Sequence, residues 1–457
     1  MRRCAPRLPE PFPFIDTGNT TIMPFFDQAT ETMPRDRLAE LQVAKLRAMS
    51  QELWRRNRFY TRKWQEAGIE PGDIKTLDDL RHLPLTRKSE LMDDQAAEAP
   101  FGTNLTYPLD AYVRMHQTSG TTGVPLKVFD TDASWDWWGR CWGHVLAGAG
   151  VTASDRVFLA FAFGPFIGFW AAVEGARKIG AVMIPGGGRD SQQRLELMKE
   201  AGATTLCCTP TYALRLAEVG REIGFDLGRI PMRATIHAGE PGANVPATKR
   251  RIEESWSAHC FDHAGASEVG AHSFECSEQP GGTHLIESEY IVEVLDPETG
   301  APVGEGERGE MVITNLGRWG FPVIRYKTGD VVRIDSRPCA CGRSFLRFAG
   351  GILGRADDMV TVRGVNVFPA GVENILRKFT EVDEFRVTVH KERQMDEMDV
   401  EIELCEGAHP DVVHAIADKL DTLLAFRPRV HLVARNALPR FEMKAKRFFV
   451  RRDDDMA

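Results

Sequence analysis

The sequence predicts an α/β protein: a large, multi-subdomain N-terminal domain with mostly parallel sheets and a β-rich subdomain, then a small α+β C-terminal domain. Three observations predict it. From Ala111 onward short apolar runs alternate with helical stretches, from 284 to 334 strands pair across tight turns, and beyond 354 the elements are short and mixed.

Residues 35–66 carry helical apolar spacing (Leu38, Leu41, Ala44, Leu46, Met49, Leu53) with charges between, which predicts an amphipathic helical entry. Residues 73–89 form a turn-rich connector. Strands at 157–160, 181–184, 205–208 and 234–237 then alternate with helices at 170–179, 191–201 and 211–223, the signature of βαβ units with right-handed crossovers. The paired strands 290–295, 309–315 and 331–334 are turned by Asp296-Pro297-Glu298-Thr299-Gly300. A boundary at 353/354 divides domains 1–353 and 354–457, the second with strands at 359–362, 384–390, 398–404 and 429–433 and helices at 370–379 and 410–424.

A chain of 457 residues exceeds one hydrophobic core, so two or more domains are expected. Its 43% hydrophobic and 27% charged residues are ordinary for a soluble protein, and a net charge of -8 leaves no basic footprint for nucleic acid. No apolar run approaches the roughly 18 residues of a spanning helix, and Met1-Arg2-Arg3-Cys4 leads into prolines rather than an apolar signal segment. The expectation is a cytoplasmic protein without membrane or nucleic-acid partners, a homodimer being left open. Nine cysteines without a regular framework fit reduced thiols or a metal site better than disulfides.

The most chemically informative run is Gln117-Thr118-Ser119-Gly120-Thr121-Thr122-Gly123-Val124-Pro125. Glycines let backbone N–H groups turn toward an anion, and the hydroxyls add short donors, so the run has the chemistry of a phosphate cradle. It is not a Walker A loop, which opens a helix with Gly-Lys-Ser/Thr; here Pro125 and an extended Leu126-Lys127-Val128-Phe129 follow. Taken alone it also reads as a Ser/Thr/Gly surface loop.

Downstream stand Ala238-Gly239-Glu240, Gly265-Ala266-Ser267-Glu268, Tyr326-Lys327-Thr328-Gly329-Asp330, Gly354-Arg355-Ala356-Asp357-Asp358 and a near-terminal Lys444. In that order these segments resemble the adenylate-forming superfamily of acyl-CoA synthetases, most closely its phenylacetate–CoA ligase branch, from about residue 30 to the end. The stretch Asp357 to Pro369 is especially similar to that branch. The resemblance implies a mobile C-terminal lid hinged at Asp357 and Asp358, with ATP, Mg2+ and coenzyme A as cofactor and cosubstrate. It implies that Thr118, Ser119, Gly120, Thr121, Thr122 and Gly123 hold the β- and γ-phosphates, Thr122 being counted with the catalytic residues, and that Glu268 ligates magnesium. Asp330 would accept both ribose hydroxyls with Arg355 nearby, and Ala238, Gly239, Glu240, Asp262, His263 and Ser267 would line the nucleotide. Lys444 matches the lid lysine that contacts the attacking carboxylate and the α-phosphate, with Lys446 an adjacent competitor. Arg363-Gly364-Val365-Asn366 resembles the loop beside the pantetheine tunnel, Gly364 permitting close approach. One position departs: the family's adenine-stacking ring is Ala264 here, so Phe261 or His263 substitutes or adenine is held more loosely.

An acyl pocket is expected between the phosphate loop and Glu268. Trp135, Trp137, Trp138 and Trp142 cluster on one helix, and Phe161-Ala162-Phe163-Gly164-Pro165-Phe166 follows; Trp142, Phe163 and Phe166 are the candidate walls of a flat aryl site, with His237 and His263 as polar orienters. The same cluster also reads as core. A second constellation, Cys339-Ala340-Cys341 with Cys276 and His284, supplies three thiols and an imidazole, the ligand set of a closed structural zinc site, with Cys260, His259 and His272 as alternative ligands. The function expected is an ATP-dependent carboxylate–CoA ligase for an aromatic or arylacetic acid. The alternatives are transfer of the acyl group to a carrier-protein thiol or an amine, and a non-catalytic nucleotide-binding scaffold.

Overall fold

A computed structural model describes residues 25–118, 124–356, 360–363, 365–367, 369–392, 395–424, 426–441 and 446–451. The helical entry is two helices, Arg35–Arg56 and Arg58–Glu66. Asn57 separates them: its extended backbone ends the first, and its side chain accepts from the Tyr60 N–H at 3.0 Å to cap the second. Leu38, Leu46, Met49 and Leu53, spaced at helical intervals, are buried against the main core.

The predicted βαβ units form a parallel array, with strands Val182–Pro185, Arg156–Leu159, Thr205–Cys208, Ala234–His237 and His259–Ala266 side by side in that spatial order. Chain order reverses at Arg156–Leu159, so a crevice opens outside the carboxyl ends of these strands. Phe161, Phe163 and Phe166 follow the end of one, Ala238-Gly239-Glu240 another, and Asp262 lies on a third. The β-rich segment is not detached from this array. Antiparallel strands Gly270–Phe274, Gly282–Leu285, Arg347–Ala349, Tyr326–Asp335, Arg308–Asn315 and Tyr290–Leu295 extend it into one 12-stranded sheet, whose twelfth strand, Gly354–Arg355, pairs beside this path with Tyr326–Asp335. Continuity matters because it makes the strand bearing Asp330 rigid with respect to the strand leading into Glu268.

Strands Tyr112–Gln117 and Lys127–Thr131 form a separate antiparallel ribbon. The Gly-Thr-rich run lies in the stretch of chain that joins these two strands. Ser119, Gly120, Thr121, Thr122 and Gly123 lie outside the described residues, but their neck is defined: the Thr118 N–H donates to the Leu126 carbonyl at 2.9 Å, and the Leu126 N–H to Thr118 Oγ1 at 3.0 Å.

Gly354 and Arg355 still pair with Asp330 and Val331, whereas a separate core begins with Val360 and Val362. That core is covered by helices Pro369–Leu376 and Val412–Leu424. It rests on a four-stranded sheet in which Val382–Glu392 and Met395–Leu404 are flanked by Phe448–Val450 and Arg429–Leu432. Asp357, Asp358, Gly364 and Lys444 lie outside the described residues. No helix among the described residues is long and apolar enough to cross a membrane.

Candidate active site

A relay of polar contacts joins the motifs. Arg318 is fully buried and binds Asp130 through two bonds of 2.7 Å, while its Nη1 donates to the Ser267 carbonyl at 2.6 Å. Asp130 belongs to the second strand of the ribbon that bears the Gly-Thr-rich run, so one guanidinium fixes that ribbon against the Ser267-Glu268 turn. The next residue, Glu268, is buried and accepts from the Tyr326 hydroxyl at 2.8 Å. Burial and then the neighbouring Glu268 charge push the Tyr326 phenol well above its usual range, which keeps it a donor. Tyr326 opens the strand that carries Asp330, and Asp330 faces Arg355 in register, with Arg355 Nη1 3.0 Å from the Thr328 carbonyl and 3.4 Å from Asp330 Oδ1. Hairpin, Glu268 and Asp330 thus share one connected frame.

Lys88 was not singled out in the sequence, yet its Nζ stands 3.4 Å from Glu268 Oε1. Thr86, two residues earlier, is stitched to the Tyr326 strand by the Thr86 N–H to the Arg325 carbonyl and the Lys327 N–H to the Thr86 carbonyl, both 2.9 Å. No local signal marks Lys88, because its role arises only when the connector folds back on a distant strand.

In the Ala238-Gly239-Glu240 segment, the Glu240 carboxylate accepts from the Thr211 N–H at 2.9 Å at the start of helix Pro210–Glu222. Asp262 is enclosed next to Gly351, where a Cβ would come within 2.7 Å of Asp262 Oδ2; with φ +63° this position demands glycine on both counts. Burial, reinforced by Glu275, raises the Asp262 carboxyl to about 7. Strand alternation corrects the ring-substitution idea. Cys260 packs in the helix-covered core on one face of its strand, whereas Phe261 belongs to the main core on the other. His263 follows Phe261's face: it meets Trp142 edge-on with centroids 4.6 Å apart, and its Nδ1–H donates to the Ser273 carbonyl at 2.7 Å. Neither ring lies on the side of Ala264. Ala264→Tyr is therefore expected to lower the KM for ATP about tenfold, a base–aromatic stack contributing about 1–3 kcal/mol; steady-state kinetics with ATP varied checks it.

Of the acyl-pocket residues, Phe163 and Phe166 sit in a nest of rings with Phe161, centroids 5.1 and 4.9 Å away, and Trp170 lies 4.8 Å from Phe163. This loop is tied to the ribbon that bears the Gly-Thr-rich run by the Gln117 N–H to the Pro165 carbonyl, 2.9 Å. Phe163 adopts φ +53°, a costly conformation for an aromatic residue. Trp142 is buried against Phe169 and His263, and Gly175 packs so closely on it that a Cβ would come within 2.5 Å. Trp135, Trp137 and Trp138 are buried too, so this helix is chiefly core, with Asp132, Asp136 and Arg140 along its exposed face. His237 is fully buried with its Nδ1–H on the Cys208 carbonyl at 3.1 Å, and burial lowers its pKa to about 4. It shares a side with Cys208, while its neighbours Ile236 and Ala238 pack in the core that holds the aromatic loop. His237 thus turns away from Phe163 and Phe166, because adjacent strand residues point to opposite faces.

The cysteine cluster assembles from three separate segments. The ligand atoms of Cys276, His284, Cys339 and Cys341 all lie within 4.8 Å of one another, with Cys276 and Cys339 sulfurs 3.6 Å apart and His284 Nε2 3.4 Å from Cys341 Sγ. His284 Nδ1 is 3.1 Å from the Phe345 carbonyl, which can only accept, so the proton sits on Nδ1 and Nε2 turns a lone pair toward the sulfurs. Cys260, His259 and His272 are not members.

With the geometry in view, comparison with known proteins is informative. Residues 70–317 match the family model of AMP-binding enzymes, and residues 364–452 match the AMP-binding enzyme C-terminal domain. The chain is 33% identical to a phenylacetate-coenzyme A ligase of Thermus thermophilus, over 82% of this chain and 83% of that one. It is 31% identical to a phenylacetate-coenzyme A ligase of Escherichia coli, over 92% and 96%. A 2-hydroxyisobutyryl-CoA ligase in the postadenylation state with 2-HIB-AMP superposes with a TM-score of 0.90 at 29% identity, covering 95% of this chain and 94% of that one. The same ligase in the thioesterification state with CoA gives 0.71 at 31% identity, covering 93% and 92%. The chain belongs to the AMP-binding, adenylate-forming enzyme family, in its phenylacetate–CoA ligase-like branch.

Proposed function

We propose that the protein joins an aromatic or arylacetic acid to coenzyme A at the expense of ATP, through an acyl-adenylate, with release of AMP and pyrophosphate. The relay from Asp130 through Arg318, Ser267, Glu268 and Tyr326 to the Asp330 strand supports this reading, because it brings the ribbon that bears the Gly-Thr-rich run, the buried Glu268 carboxylate and Asp330 into one frame. The rings of Phe161, Phe163, Phe166 and Trp170, tied to the hairpin through Pro165, support a flat acyl group.

A carboxylate and the α-phosphate repel each other, so the chain's task is to offset charge while holding them in line. The hairpin turn offers N–H and hydroxyl donors to the β- and γ-phosphates, and Lys88 adds a cation at the Glu268 end. Lys444 bridges the attacking oxygen and the α-phosphate. Asp330 accepts the ribose hydroxyls, which places the α-phosphorus for attack with pyrophosphate as leaving group. A hard divalent cation fits Glu268: the carboxylate is buried, held rigidly by Tyr326 and close to the phosphate hairpin. Magnesium, when bound there, neutralises charge on the phosphates. In the second half-reaction the lid turns about Asp357 and Asp358, and the pantetheine thiolate, passing Gly364, attacks the acyl carbon and displaces AMP.

The four-ligand cluster fits zinc in donor type, number and tautomer, and its place on the antiparallel sheet makes it a staple. Metal analysis of purified protein is expected to find about one zinc per chain, and stripping it with a chelator to lower the melting temperature; a metal-free protein of unchanged stability contradicts the assignment.

ATP–pyrophosphate exchange over aryl, arylacetic and short aliphatic acids tests the whole reading. Exchange with aryl or arylacetic acids followed by CoA-thioester formation is the expected result. Exchange with aliphatic acids alone overturns the acyl class, and an adenylate that reacts with amines or carrier protein but not CoA overturns the acceptor.

A further inference from the structure

Residues 440 and 447 bracket the segment that contains Lys444, and the two arginines there behave differently. Among the described residues Arg440 bonds within the C-terminal domain, donating to Asp383 at 2.6 Å and Glu403 at 2.5 Å. Arg447 reaches across. Its Nε and Nη2 form a fork on the Glu384 carboxylate at 2.6 and 2.9 Å, and its Nη1 donates to Thr211 Oγ1 of the N-terminal domain at 3.2 Å. Phe385 and Phe441 hold the guanidinium from its faces, with centroids 5.5 and 5.4 Å away. Thr211 in turn is the residue whose N–H holds Glu240 in the Ala238-Gly239-Glu240 segment. One further bond crosses nearby, from Arg251 Nη1 to the Val382 carbonyl at 3.3 Å.

We infer that Arg447 is a pose-specific latch: its fork on Glu384 travels with the lid, while its bond to Thr211 exists only in the adenylation pose and positions the Lys444 segment for that half-reaction. This rests on the ligase reading above. Two observations carry it. The bond joins the two domains immediately beside the nucleotide-lining segment, and the whole chain superposes more closely on a ligase in its postadenylation state than on the same ligase in its thioesterification state. A rotation of the lid must break the Thr211 bond and leaves the Glu384 fork intact, since Glu384 lies on the lid's own strand Val382–Glu392. The fork keeps the guanidinium oriented through the open state, so re-forming the latch requires no search by a loose side chain.

The test separates the half-reactions in the full-length protein. Thr211→Val removes the hydroxyl at nearly constant shape and leaves the backbone N–H to Glu240 in place. It is expected to slow ATP–pyrophosphate exchange about tenfold, as for loss of a hydrogen bond to a charged group, while CoA thiolysis of supplied phenylacetyl-adenylate is not slowed. Thr211→Ser, which keeps the hydroxyl, restores exchange. Equal loss in both half-reactions, loss of thiolysis alone, or undiminished exchange in Thr211→Val each overturns the latch. A wild-type protein that exchanges with none of the acids overturns the ligase reading itself, a result distinguishable because it precedes any variant.

Discussion

Lys444→Ala is expected to depress ATP–pyrophosphate exchange roughly 100- to 1000-fold, the range for losing one preorganised charge-stabilising group, while thiolysis of a supplied acyl-adenylate proceeds near the wild-type rate. The asymmetry follows from where charge develops. Adenylation drives a carboxylate onto an anionic phosphorus and needs a cation between them, whereas attack of a thiolate on an acyl-phosphate anhydride has a good leaving group and needs chiefly position. The flanking contacts favour this lysine over its neighbour: Lys446 Nζ rests 5.3 Å from the Phe449 ring on the lid strand. Both half-reactions are measured on one preparation, exchange by label incorporation and thiolysis by CoA consumption. Equal loss of the two removes the two-pose account.

Arg318→Met is expected to destabilise the fold by about 3–5 kcal/mol, because it leaves the fully buried Asp130 carboxylate without its partner. Urea denaturation measures this. The double variant Asp130→Leu, Arg318→Met recovers much of the stability, since a buried pair replaced by apolar side chains of similar volume loses no uncompensated charge. Activity does not recover with it. The Ser267 carbonyl still lacks the Arg318 donor, and the turn presenting Glu268 is no longer fixed to the ribbon that bears the Gly-Thr-rich run. Recovery of both stability and exchange in the double variant would show Arg318 to be a packing element only.

These two residues mark the limits of what could be read without coordinates. Lys444 was singled out because it stands in a short motif near the end of the sequence, in company with Glu268, Asp330 and the Gly-Thr run. Arg318 was not, since its partner Asp130 is 188 residues away and each looks like an ordinary surface charge in its own neighbourhood. The same holds for Lys88 beside Glu268 and for Arg447 on Thr211. The Cys/His cluster was anticipated because cysteine and histidine are scarce and their pairing across Cys276, His284 and Cys339-Ala340-Cys341 leaves few combinations. The acyl pocket was only partly legible: an aromatic run announces a ring cluster, yet which rings are core depends on strand and helix faces set by packing.

By itself the sequence determined the parallel strands, a helical entry over residues 35–66 and the order of the family's motifs, and it singled out the four residues that the fold gathers into one Cys/His cluster. Local apolar periodicity and residue chemistry suffice for those. Tertiary structure alone decided that the β-rich strands continue the parallel array, that His237 and His263 turn from the sides assigned to them, and that buried charges bind the motifs into one frame. Those outcomes depend on strand register and on contacts between residues remote in the chain, and a one-residue change of register reverses which face a side chain occupies.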